Sequence, residues 1–343
     1  NEMKNKLIIF LCLTVGLSAN SQNFEDIEYL LLASQEDQNL IFKEYFDPVV
    51  SSINYGMAGG WYNTAKTHKK LGFDITLSIN SSFIPTSAET YSTLGLTSIV
   101  ASSEQLPTVL GGKTNETMSI SLFGQGSFPE LNASFTAPSG IKDDLPLNII
   151  ATPSLQLAVG LPFKTDLIIR YIPVRSSKNT SVGLKGVGIK HNLLQYFGPA
   201  EKVPLIDVSL LAAYSTYSID YNIQKTSNLA GANQQALLSM DSYVIKLISS
   251  IDIKLLNLYA GLGYSRSISD LKILGSYNLP YTVADTAEQV IITVSDPLVV
   301  NWDKESLGGN IGISFKLPGI RIFADYTVQK YNSVSFGASL TIR

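Results

Sequence analysis

Few side chains in this sequence could do covalent chemistry. The chain has two histidines, His68 and His191, and one cysteine, Cys12. A hydrolase built on a barrel wall or in a soluble domain would need a histidine held against a serine and oriented by a carboxylate. His191 stands in IKHNLLQYF, with no acidic residue close to it in sequence. Two histidines without a second cysteine make no metal-ligand set. There is no P-loop and no dinucleotide fingerprint. No catalytic residue, metal or cofactor is therefore expected. Asn80, Asn115, Asn132 and Asn179 begin Asn-X-Ser/Thr sequons, which would matter only in a eukaryotic secretory host.

The remaining chemistry is electrostatic. Asp74, Asp166, Arg170, Asp207, Asp241, Lys246, Lys316, Arg321 and Asp325 are assigned to the polar faces of alternating segments. Both signs are mixed. Such a set can tie a wall and its contents together by salt bridges, or it can line a polar path that sorts solutes by charge. A path strongly selective for one ion sign would show that sign in excess. Gly183, Gly186 and Gly188 punctuate VGLKGVGI (182–189), where the apolar parity changes between Leu184 and Val187. They predict a bulge or kink in the wall, with a lateral opening toward lipid, or room for something packed inside.

These residues need elements to hold them. In GFDITLSINSSFI (72–84), Phe73, Ile75, Leu77, Ile79 and Phe83 alternate with polar residues. In NSVSFGASLTIR (332–343), Val334, Phe336, Ala338, Leu340 and Ile342 do the same. Period two means a strand with one apolar and one polar face. Ser, Thr and Gly fill the polar faces, as a wet lumen requires better than an open surface would. Charged residues make up 15% of the chain, against about 25% in soluble domains. No run reaches the ~18 apolar residues of a spanning helix. The fold expected is all-β and transmembrane: an antiparallel outer-membrane β-barrel with a soluble β-sandwich as the alternative. A net charge of −3 gives no reason to expect nucleic acid.

Ten strands are read with confidence at 72–84, 147–160, 165–175, 181–194, 204–220, 239–251, 254–266, 309–317, 320–330 and 332–343. Short turns fall at one end, at 161–165, 197–204, 251–254 and 317–319. Long polar segments fall at the other, at 85–146, 222–239 and 279–306. Short turns are periplasmic in bacterial barrels. Parity allows only pairs to be added, and 118–123 with 131–135 and 271–277 with 290–294 would make fourteen strands, with twelve the next count.

The N-terminal part differs. Lys4 and Lys6, the apolar run 7–17, and Ala19 and Ser21 before Gln22 predict a cleaved signal peptide over 1–21, with Met3 as the start. Residues 22–71 predict a helical plug or cap. Ser34 with Asp37 resembles a capping box, and Asp47-Pro48 looks like a second helix start, giving two or three short helices. Gly56, Gly59 and Gly60 end them. Trp61 and Tyr62 suit a membrane interface or a plug–wall contact. His68, Lys69 and Lys70 are expected on a solvated rim. Residues 72–343 would be the barrel.

GGWYNTAKTHKKLGFDITLSINSSFIP (59–85), LAVGLPFKTDLIIRYIP (157–173) and GVGIKHNL (186–193) resemble a family of Bacteroidota outer-membrane proteins classed as a domain of unknown function. More distantly, helices followed by a barrel resemble the long-chain fatty acid transporter superfamily, which has fourteen strands and an N-terminal hatch. The chain lacks the Asn-Pro-Ala type of hatch motif, so no ligand-binding residue carries over.

The expectation is a porin-like barrel in the outer membrane of a Gram-negative bacterium, passing small solutes, hydrophobic ones included. The alternative is a non-transporting subunit or docking partner in an envelope or secretion assembly. The partners expected are accordingly outer-membrane lipid, a small hydrophobic solute and an envelope protein.

Overall fold

A computed structural model describes residues 27–122, 130–145, 147–177, 179–198, 205–223, 230–284, 286 and 288–342. The signal peptide expected over 1–21 lies outside the described residues. Helix α1 (Gln35–Ala58) comes first, after a 3₁₀ turn at Tyr29–Leu32. Strand β1 (Phe73–Phe83) follows. The next segment holds three short strands, β2 (Thr90–Ser92), β3 (Ile99–Ala101) and β4 (Gln105–Pro107), and a hairpin, β5 (Thr117–Leu122) with β6 (Leu131–Thr136). Then come β7 (Ile149–Leu161), β8 (Thr165–Ser177), β9 (Thr180–Asn192), β10 (Ile206–Asn222), β11 (Gly231–Ile253), β12 (Leu256–Val283), β13 (Gln289–Ser295), β14 (Leu298–Leu317), β15 (Ile320–Val328) and β16 (Ser333–Ile342).

Ten of these close a ring of antiparallel pairs. The order is β1–β7–β8–β9–β10–β11–β12–β14–β15–β16, and β16 pairs back to β1. The closing seam sets Ile75 opposite Leu340 and Leu77 opposite Ala338. Closure removes the free edges that lipid cannot satisfy. The ring is therefore ten strands, the same ten read from the sequence, and not fourteen. The extra segments do pair, but outside the ring. β5 and β6 form a hairpin joined to the far end of β12, residues 271–277 continue β12 itself, and β13 extends the line of β14 along β12.

This miscount has a physical origin. β11, β12 and β14 run 23, 28 and 20 residues, where spanning needs about 9–11. Near the short turns their apolar side chains point out: Ile245, Leu247, Leu258, Leu262, Ile311 and Phe315 are exposed. Farther along, the apolar parity reverses, and Met240, Leu271, Ile273, Val300 and Trp302 are buried inside. Where lipid surrounds the wall, the apolar face is outside. Beyond the bilayer water surrounds it, and the apolar face turns to a core instead. That core gathers the Tyr29–Leu32 turn, one side of α1 from Ile41 to Met57 and the outer ends of β9–β12 and β14. The expected polar loops at 222–239 and 279–306 are thus largely strands of this outer head.

The change of parity in β9 has the same cause. Leu184 is buried against the outer core, whereas Val187 and Ile189 are exposed on the lipid side. β9 pairs with β10 in one unbroken register from Thr180 to Asn192, without a break at Gly186 or Gly188. Its ladder with β8 shifts register between Ile172 and Arg175, opposite Gly183, with the extra residue on β8.

Residues 35–58 form one helix, not two or three. Ser34 Oγ accepts from the Asp37 amide at 3.3 Å, and the buried Asp37 carboxylate accepts in turn from the Thr97 and Ser98 amides. Pro48 lies inside the helix without ending it. A proline there leaves the carbonyl four residues back without its donor, which an unsupported helix would not tolerate. This one contacts β1, β7, β11, β12 and β14, which support it.

Candidate functional site

The interior of the ring is occupied by the chain's own N-terminal part. α1 starts beside the outer core, where Tyr281 donates to Leu32 O at 2.9 Å. It runs inward to Ala58 and stops at Gly59 and Gly60. Gly60 has φ of +66°, and a Cβ there would overlap the Asn80 side chain. The extended segment 61–70 then continues to the short-turn end, where the Leu71 amide donates to Gly160 O and β1 begins.

Three layers of contact fix this segment to the wall. In the first, the fully buried Arg170 guanidinium lies 3.8 Å from the centre of the Trp61 ring. It also donates to Met57 O and Gly59 O, both at 3.0 Å. The Trp61 ring rests against Gly186 and Gly188, where added Cβ atoms would stand 3.1 and 3.2 Å from it. Those two glycines thus make room for the plug. In the second layer, Tyr62 donates to Asn310 at 2.5 Å, Asn63 donates to Ser339 at 2.9 Å, and Arg321 donates to Asn63 at 2.7 Å. Ser250 and Ser209 bind the backbone of Ala65.

The third layer is ionic and closes the short-turn end. His68 sits between two carboxylates, Nδ1 at 3.1 Å from Asp166 and Nε2 at 3.0 Å from Asp74. Lys190 pairs with Asp166 at 3.0 Å and donates to Lys66 O. Asp252 joins Lys66 and Lys316. Burial of the His68 ring opposes its charged form, but the hydrogen bonds to Asp166 and Asp74 outweigh this and raise its pKa above the ordinary value. The solvated rim expected at His68–Lys70 holds for Lys69 and Lys70 only; the His68 side chain is buried because two inward-facing aspartates receive it.

Of the nine charges assigned to the lumen, Asp74, Asp166, Arg170, Lys246, Arg321 and Asp325 are buried inside the ring. Asp325 accepts from Tyr259 at 3.0 Å. Asp207 and Lys316 are half-buried at the short-turn end, where Asn192 donates to Asp207. Asp241 is a correction. It shares its parity with the exposed Tyr243 and Ile245, so it points outward, and it accepts from Tyr214 and Thr216 at 2.7 Å. Its strand has already left the lipid zone there, and an acid can stand on the outer face. Lys190, Asp252 and the pair Asp47–Lys304 were not foreseen. Lys190 could have been, since it falls on the same face as Gly186 and Gly188.

Both nitrogens of His68 face carboxylates, and His191 contacts Thr165, Tyr196 and Gln195.

The chain matches one family across residues 3–342. It belongs to DUF6588, a family of unknown function. No curated protein matches it. Among solved structures, it is similar to Ail, the attachment invasion locus protein of Yersinia pestis, with 8% identity over 80% of this chain and 100% of that one and a TM-score of 0.27. The translocator domain of the autotransporter NalP from Neisseria meningitidis has 12% identity over 80% and 89%, with a TM-score of 0.25. The outer membrane protease OmpT from Escherichia coli has 9% identity over 83% and 100%, with a TM-score of 0.27. At such scores none of them lends this chain an activity, and the barrel rests on its own strand pairing.

Proposed function

We propose that this protein is an outer-membrane channel for small solutes in a Gram-negative envelope, held closed by residues 27–70. The observation that carries this reading is the character of the plug–wall contact. The inward faces of β1, β7, β10, β11, β12 and β16 present Ser78, Ser82, Thr152, Ser154, Ser215, Ser242, Ser267 and Ser335, all buried. Facing them on α1 are Ser51, Ser52, Asn54 and Gly56. Several of these groups, including Ser52 Oγ, Asn54 Oδ1, Ser215 Oγ and Ser242 Oγ, meet no partner in the structure. A permanent core would be apolar or fully hydrogen-bonded. A small, hydroxyl-rich seam is instead a surface that water can rewet when the helix shifts. A lumen so lined favours polar over hydrophobic solutes. Liposomes carrying the full chain should pass small neutral solutes, and a disulfide fastening the plug to the wall should stop them. Flux that ignores the lock would defeat the proposal.

A second reading, a docking subunit without transport, draws on the outer head. No strand among the described residues pairs with 298–308 on the side away from β12. An open edge of that length is a template for a partner strand. Stable co-purification of an envelope protein, lost when prolines are placed along 299–307, would favour it over transport.

A further inference from the structure

At the outer end, a cleft of about 250 Å³ opens between the middle of α1, the segment after β1 and the β15–β16 turn. Glu44, Asp47, Thr90, Tyr91, Thr108 and Tyr331 line it. We infer that this cleft is a binding site for a neutral polyhydroxylated solute, a mono- or disaccharide; the inference rests on the channel reading and names its substrate class.

Tyr91 is 4% exposed, and its hydroxyl is buried without a partner. A tyrosine hydroxyl buried beside a polar cleft and left unpaired awaits a ligand group. Glu44 is exposed and ready to accept hydrogen bonds. Tyr331 is held in place by stacking on Tyr55, with ring centres 5.3 Å apart. Carboxylate and hydroxyl groups gathered around one cleft, here Glu44, Thr90, Thr108 and Tyr91, are the chemistry the hydroxyls of a polyol need. Charge balance excludes a strongly ionic occupant: Asp47 is already paired with Lys304, and Lys330 offsets Glu44 at the rim. The volume is under the roughly 300–1,000 Å³ of sites for drug-sized ligands, so the solute is compact.

Below the Asp47–Lys304 pair lies a second cavity of about 10 Å³, lined by Ser51, Asn54, Ser242, Ser265, Ser267 and Ser306. That is room for about one water. Asn54 Oδ1 and Ser242 Oγ are buried here without partners. The order is therefore outer cleft, ion pair, serine-lined cavity, following α1 toward the lumen. The ion pair stands where a gate between binding and passage would stand.

The test uses the full chain in nanodiscs, titrated with glucose, maltose and the anion gluconate by calorimetry, beside Tyr91→Phe and Glu44→Gln. Tyr91→Phe removes a hydroxyl that bonds to nothing, so the fold is retained. The expected result is saturable binding of a neutral sugar, gluconate at least tenfold weaker, and a several-fold to tenfold loss in each variant. No saturable sugar binding, or binding indifferent to both variants, overturns the site. Sugar bound as expected but never passed by liposomes supports the site and defeats the channel. Flux without variant-sensitive binding does the reverse.

Discussion

Arg170 is the residue on which the plug most depends. Its fork satisfies two carbonyls at the end of α1, and its plane covers Trp61, a combination lysine cannot reproduce. Arg170→Ala should cost about 2–4 kcal/mol of plug stability, because it orphans two buried acceptors and removes a desolvated cation–π contact. Arg170→Lys should recover only part. Hydrogen exchange at residues 57–66 in the two variants measures this, and unchanged protection in Arg170→Ala would refute it. His68 adds a pH dependence. Its pKa is raised when it is latched between Asp166 and Asp74, with Lys190 on the same aspartate. The latch is thus fully charged below the ordinary histidine value of about 6.5 and weakens as pH rises through the raised value. Conductance should increase on the alkaline side, and His68→Gln should flatten that response. Sequence alone could place Arg170 on the inner face by parity. It could not say what lay opposite, because Trp61 reaches Arg170 across more than a hundred residues.

At the scale of elements, the alternation in 72–84 and 332–343 is sufficient to identify the two strands of the seam and their facing. It works because lipid outside and a wet interior enforce period two. Legibility ends where the outer head begins. There the buried face changes sides, so Leu271, Ile273 and Trp302 carry the opposite parity from Leu262 and Ile311, and continuing strands look like loops or extra hairpins. Asp241 was assigned inward for this reason. The change of side has a direct test. Leu247→Arg, in the lipid band, should cost about 2–4 kcal/mol of folding stability. Ile291→Arg, also exposed but on the head, should change stability by no more than about 0.5 kcal/mol. Urea unfolding in micelles compares them; equal costs would mean that the bilayer boundary is misplaced.

For the whole molecule, the closed ring and the segment inside it form one object. The chain descends through the lumen from outer head to short-turn end and only then starts β1, so the segment inside the ring is tethered beside the ion pairs of His68, Asp166 and Lys190. That the N-terminal part is helical was legible from Ser34, Asp37 and the terminal glycines. That it is one helix through Pro48 was not, since the support comes from the surrounding wall. The most direct measurement is planar-bilayer conductance of the full chain carrying Asn63→Cys and Ser339→Cys, whose side chains touch in the closed state, with and without Arg170→Ala. The account predicts a nearly silent oxidised protein, brief openings on reduction, and longer ones when Arg170 is also removed. Conductance unchanged by oxidation, or silence in every form despite a folded barrel, would contradict a lumen that its own N-terminal segment opens and closes.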